Sequence, residues 1–217
     1  MHISWLGHSC FKIQDKVGSD GVTLITDPFS TQAVGLKEPK SEADIVTISH
    51  DHPDHNNLKA IKGSPFVIQS PGEYDVKGVS IVGVDSFHDD EKGKKRGKNT
   101  IYWMEIEGVS VVHLGDLGYV PESKELEKIP NCDILLIPVG GKYTLGAGKA
   151  VELVNQIEPR IVIPMHYKTK GVTIDDIEGV DRFVKELGVN PREEEKLKIS
   201  KKDLPQDSME LIILKIL

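Results

Sequence analysis

The sequence predicts an α/β fold with two sheets and helices outside them, and three observations carry that expectation. Short runs rich in β-branched residues recur along the 217 residues, helical periodicity appears only between the later runs, and no fixed-period repeat or Pro-rich linker divides the chain. A chain of this length buries a sizeable core without staples, so one domain over residues 1–217 is expected.

In order, the strand candidates are VTLIT (22–26), DIVTIS (44–49), VSIVGV (79–84), TIYWMEI (100–106), VSVVHL (109–114), DILLIPV (133–139), RIVIPM (160–165) and MELIILKI (209–216), after a first strand ending at Gly7. Ala150, Leu153, Val154 and Ile157 stand at helical spacing, and Ile177, Val180, Val184 and Leu187 make a second stripe. Hydrophobic content is 38%, no apolar run reaches bilayer length, and MHISWLGHSC lacks a basic-then-apolar export signal; a soluble, cytoplasmic protein with no membrane partner is expected. Cys10 and Cys132 lie far apart without CxxC spacing and read as buried, reduced residues. A formal charge of -7 argues against a general nucleic-acid binder.

The chemistry lies just past the strands. VTLIT runs into Asp27, DIVTIS into His50, VSIVGVDSF into His88, VSVVHLG into Asp116 and RIVIPM into His166. Ligand sites in layered α/β folds collect at strand ends, so five such deliveries suggest one shared site. Imidazoles and carboxylates together are donors for Zn, Mn or Fe, and a carboxylate can bridge two cations. The segment HDHPDH, residues 50–55, puts three histidines and two aspartates into six positions. In an extended segment His50 and His52 point the same way, and Pro53 turns the chain to present Asp54 and His55 to a second cation. A solvated turn would explain a lone HxH but not the further His and Asp at strand ends.

HDHPDH resembles the HxHxDH signature of the metallo-β-lactamase superfamily, and "ITDP", "SFHDD", "HLGDLG" and "PMHY" fall in that family's order. The resemblance implies a four-layer αββα sandwich with a dinuclear site at one edge of the sheets. It implies His50, His52 and His88 on one metal, Asp54, His55 and His166 on the other, Asp116 bridging, and Asp27 orienting the ligand loop. The opening WLGHSCFKI is similar to the branch containing L-ascorbate 6-phosphate lactonase and N-acyl phosphatidylethanolamine phospholipase D, without fixing a substrate.

Other residues have two readings each. His8 matches the branch motif and reads as a substrate or orienting contact as readily as a structural hydrogen bond. His113 alternates within its strand and reads as a strand histidine; His2 carries no case, and Glu73 reads as a turn residue. VGGKYTLGAG lacks phosphate-loop spacing, yet Lys142, Tyr143 and Thr144 could line a pocket, as could Tyr167 and Lys168. The run EKGKKRGK (91–98) is either a solvated connection or a mobile basic flap over the site.

The expected function is a metal-dependent hydrolase. Two divalent cations, Zn first with Mn or Fe as alternatives, would hold a hydroxide between them, with Asp54 as proton acceptor and Asp116 as the catalytic bridge. The substrate would be an ester, lactone or phosphodiester of a small molecule, an anionic one included. A homo-oligomer stays open. A nuclease on this fold would be expected to bring a basic face, and a noncatalytic metal-binding sensor to have lost ligands.

Overall fold

In the computed structural model, which describes residues 1–217, the chain opens with an antiparallel meander, β1 (His2–Gly7), β2 (Cys10–Val17) and β3 (Asp20–Thr26). Strand alternation sorts the side chains onto two faces. Ile3, Trp5, Phe11, Ile13 and Leu24 enter the main core, while Cys10 and Ile25 join a smaller cluster with Phe29, Val34 and Val172. After the one-turn helix α1 (Thr31–Val34), capped by the Ser30 side chain, β4 (Ser41–Glu42) and β6 (Ile61–Lys62) form a separate small ladder. Between and after them, β5 (Ile45–Thr47) and β7 (Phe66–Ile68) extend the first sheet in parallel.

The second sheet begins with three antiparallel strands, β8 (Gly72–Val76), β9 (Val79–Phe87) and β10 (Lys98–Ile106), followed by β11 (Val109–His113). The short helix α2 (Ser123–Leu126) leads to β12 (Ile134–Pro138), and α3 (Ala147–Ile157) to β13 (Ile161–Met165), both parallel to β11. Every residue of β12 and β13 is buried, as parallel strands covered on both faces require. Helix α4 (Asp181–Leu187) precedes β14 (Arg192–Glu194), β15 (Leu197–Lys198) and β16 (Glu210–Leu214). Strands β14 and β16 complete the second sheet, in the order β14-β16-β13-β12-β11-β10-β9-β8, whereas β15 joins the first, in the order β15-β1-β2-β3-β5-β7. Residues of both sheets and of α3 and α4 share one core of 44 buried residues. No helix is long and apolar enough to cross a membrane.

Three expectations are corrected. The helical stripe from Ile177 begins late: α4 starts at Asp181, and Ile177 instead packs in the smaller cluster. The backbone before α4 is engaged elsewhere, the Glu178 N–H donating to Gly140 O and the Lys168 N–H to Glu178 O. Glu73 is an exposed strand residue of β8 paired with Val82; the turn falls at Lys77 and Gly78, both at positive φ (52° and 74°), as a two-residue hairpin loop demands. Cys10 is buried and free, as expected, but Cys132 is free and only half-buried at the core's edge.

Candidate metal centre

The ends of β1, β3, β5, β9, β11 and β13 converge, and the residue types found there explain how. Asp27, directly after β3, is fully buried at φ 38° and organises the histidine loop. Its Oδ1 accepts from the Ser49 N–H (2.7 Å), and its Oδ2 accepts from Ser49 Oγ (2.6 Å) and faces His55 Nδ1 (2.9 Å). A carboxylate only accepts, so the Ser49 hydroxyl spends its proton on Asp27. Ser49 Oγ must then accept from His50 Nδ1, 2.9 Å away. Both His50 and His55 thereby carry a proton on Nδ1 and turn Nε2 inward. Those two nitrogens are buried without a hydrogen-bond partner in the protein.

Asp116 is placed by β10 rather than by its own loop. Asn99 Oδ1 accepts the Asp116 N–H (3.0 Å), while its amide donates to Leu114 O (2.9 Å) and Ser86 Oγ (2.7 Å). So held, Asp116 Oδ2 lies 3.1 Å from His166 Nε2, 3.2 Å from His55 Nε2, 3.3 Å from His88 Nε2 and 4.0 Å from His50 Nε2. Its Oδ1 is buried and unpartnered. His166 and His8 stand at positive φ (51° and 53°), strain of the kind that functional sites retain.

The donor atoms fall into overlapping groups, each within 4.8 Å: His50, His52 and His88; His50, His55 and Asp116; and Asp54, His55, His166 and His8. Donor chemistry and orphaned nitrogens both fit divalent cations. His8 is the addition: its Nε2 sits 3.1 Å from Asp54 Oδ2, so it approaches the same centre as the expected ligands. Burial first, then His166, pulls His8 down to about 4; burial and His55 pull His50 down to about 3, so both are neutral donors near pH 7. Burial also disfavours charge on His55, but Asp116, Asp54 and Asp27 overcome it and hold the ring protonated. Three carboxylates thus already hold one positive charge where a metal cation would sit.

A cavity of 480 Å³ opens on this cluster, lined by His52, Asp54, His88, Asp116 and His166 and also by Arg96, Tyr143 and Ile174. Hollows of 560 and 610 Å³ lie elsewhere, beside Phe66 and Arg160, and contain no histidine; chemistry rather than volume marks the site. Of the pocket candidates, Tyr143 lines this cavity, but Lys142 reaches away to pair with Asp176 (3.0 Å). Tyr167 is buried against the Trp5 ring (centroids 5.1 Å apart), because its neighbour His166 takes the site-facing direction. Lys168 donates to Ile174 O and Thr144 is buried beside its own loop. His113 stays in its strand, Nε2 against Ser9 O (2.8 Å) and Nδ1 accepting the Gly115 N–H (3.2 Å). His2 is exposed on β1.

Sequence reasoning missed Ser49, Asn99 and Asp89. Ser49 and Asn99 are uncharged residues whose neighbours in space are remote in sequence. Asp89 had a signal, an acid directly after His88, and it governs the basic run. Its buried carboxylate accepts the backbone N–H groups of Glu91, Gly93, Lys95 and Arg96 at 2.8–2.9 Å. Burial opposes its charge, yet these amides hold it down to about 2. The run is therefore a pinned loop.

The family model described as the beta-lactamase superfamily domain matches residues 2–166. A metal-dependent hydrolase of the UPF0173 group from Methanopyrus kandleri is 30% identical over 220 residues, covering 88% of this chain and 94% of its own. Among solved structures, a Thermotoga maritima chain, titled a candidate Zn-dependent hydrolase of the metallo-β-lactamase superfamily, is 36% identical with a TM-score of 0.79; the match covers 98% of this chain and 97% of that one. Igni18, a metallo hydrolase of Ignicoccus hospitalis, shares the fold at 20% identity and a TM-score of 0.64, over 86% of this chain and 90% of its own. With its strand-end histidines and aspartates gathered in one cleft, this chain belongs to the metallo-β-lactamase superfamily.

Proposed function

We propose that the protein is a metal-dependent hydrolase that uses two divalent cations, Zn first with Mn or Fe as alternatives, to cleave an ester, lactone or phosphodiester of a small molecule. One observation carries the reading: a single carboxylate oxygen, Asp116 Oδ2, lies within 3.3 Å of Nε2 atoms from His55, His88 and His166. An oxygen so shared suits two adjacent cations better than one. His50, His52 and His88 would hold the first, Asp54, His55 and His166 the second, with Asp116 common to both and His8 at the edge of the second group. When bound, such cations supply Lewis acidity and lower the pKa of water at the site.

The chain's own residues do the rest. Asp27 and Ser49 hold the Nδ1 protons of His50 and His55 and so keep both Nε2 atoms aimed inward; the neutral His50 accepts a cation as it stands, whereas His55 would first give up the proton that its carboxylates hold there. Asp54, its side chain 23% exposed at the cavity, is the carboxylate placed to take a proton from water and pass it to the leaving group. His8 and His55 hold it ionised, so it relays the proton rather than storing it. Apart from the half-buried His52, the other donors are buried and keep bulk water out.

The test uses metal-stripped and reconstituted protein with a panel of esters, lactones and bis(p-nitrophenyl) phosphate. Reconstituted protein should turn over at least one class, and Asp116→Ala should lower turnover by at least about a hundredfold, the scale of losing a catalytic electrostatic group. Full activity of Asp116→Ala at saturating metal would refute the role of the shared carboxylate.

A further inference from the structure

The run from Glu91 to Lys98, which joins β9 to the start of β10, carries five basic residues, and the structure treats them differently. Lys95 pairs with Glu91, Lys98 lies 3.8 Å from Asp85, and Lys92 and Lys94 are exposed. Arg96 has no carboxylate partner within 4 Å; its guanidinium lies over the Tyr143 ring, 5.4 Å from the centroid, in the wall of the metal-centre cavity. The backbone that carries it is held in place. Asp89 accepts the Arg96 N–H at 2.8 Å, and the loop is closed by the His88 N–H on Gly97 O (3.1 Å) and the Gly97 N–H on Gly93 O (3.0 Å).

A cation–π contact spends none of a guanidinium's N–H donors, so the fork stays free for a planar bidentate acceptor. The other charged group lining the cavity beyond the metal-centre donors, Asp175, is exposed at the rim. We propose that Arg96, held over the Tyr143 ring, is the subsite for a carboxylate carried by the substrate away from the bond that is cleaved. One fork matches one carboxylate; a phosphate dianion would call for a second free cation, yet the neighbouring Lys95 and Lys98 face acids of their own, and Lys92 and Lys94 do not line the cavity. The catalytic part of this proposal rests on the hydrolytic reading above, whereas the binding part stands without it.

The experiment compares metal-loaded wild type, Arg96→Gln and Lys94→Ser on mono-4-nitrophenyl glutarate and its neutral methyl ester. Arg96→Gln should raise KM for the carboxylate-tailed ester at least about tenfold more than for the methyl ester, the scale of a lost charge-assisted hydrogen bond. Lys94→Ser should leave that ratio as in wild type, and metal content should match in all three proteins. Equal KM changes on both esters would overturn the subsite, and a larger Arg96→Gln effect on a phosphate-tailed ester would overturn the carboxylate assignment. Calorimetric titration with monomethyl and dimethyl glutarate separates the two claims. If wild type hydrolyses neither ester, the hydrolytic reading loses its support from this pair. Weaker binding of the monoacid to Arg96→Gln, by about tenfold, would still support the subsite, and unchanged binding would overturn it.

Discussion

Asp27 accepts three hydrogen bonds and so decides which nitrogen of two histidines faces the site. Replacing it with Asn keeps the volume but puts an amide donor among groups that need acceptors. We expect Asp27→Asn to weaken divalent-metal affinity by about 10- to 100-fold, the usual scale for groups that orient metal ligands, read by competition with a chromophoric chelator. An affinity within about twofold of wild type would mean that the His55 and His50 tautomers are set some other way. The strand-end position made Asp27 legible in the sequence. Ser49 was not legible, because a serine after a strand is ordinary until its neighbours in space are known. His8 was legible as part of a motif, and its closeness to Asp54 and His166 emerges only when β1 and β13 end side by side.

At the scale of elements, β10 reaches across to steady the loop after β11. Asn99 is 1% exposed and joins the Asp116 N–H, Leu114 O and Ser86 in one network. Asn99→Leu would strand a buried donor and a buried acceptor, each costing about 1–3 kcal/mol. The variant should therefore unfold at least about 2 kcal/mol more easily in urea and bind metal more weakly; an unchanged midpoint would show that water or a loop shift repairs the gap. The strands were readable from β-branched runs, and α3 from its period, because both signals are local. The start of α4 was misread because the 177–180 segment serves Gly140 through its backbone, which apolar spacing cannot register. The basic run was read as a solvated connection or a mobile flap, and charge counting passed over Asp89, whose four amide bonds pin it.

For the molecule as a whole, two sheets sharing one core make the site, since each supplies half of it: β1, β3 and β5 lead into His8, Asp27 and His50, and β9, β11 and β13 into His88, Asp116 and His166. The strand-end deliveries were visible in the sequence, but their division between the two sheets was not. The exchange of the C-terminal strands, β15 to the first sheet and β14 and β16 to the second, was not visible either, because sheet partnership over nearly 200 residues leaves no local pattern. The shared site also sets the response to acid. His8 and His50 titrate in the fold at about 4 and about 3, below the ordinary 6.5, so the unfolded chain takes up protons first as pH falls. The metal-stripped protein should thus lose stability between pH 6.5 and about 4. His55, raised by its carboxylates, contributes with the opposite sign and only above pH 6.5. Urea midpoints at pH 6.5 and 4.5 check this, and equal midpoints would contradict it.

The central claim is that one carboxylate joins two cation sites, and metal stoichiometry with anomalous scattering from crystals of the reconstituted protein tests it most directly. The account predicts about two ions per chain, one among His50, His52 and His88, one among Asp54, His55 and His166, with Asp116 touching both. A single ion at saturating metal, or two ions that do not share Asp116, would contradict it.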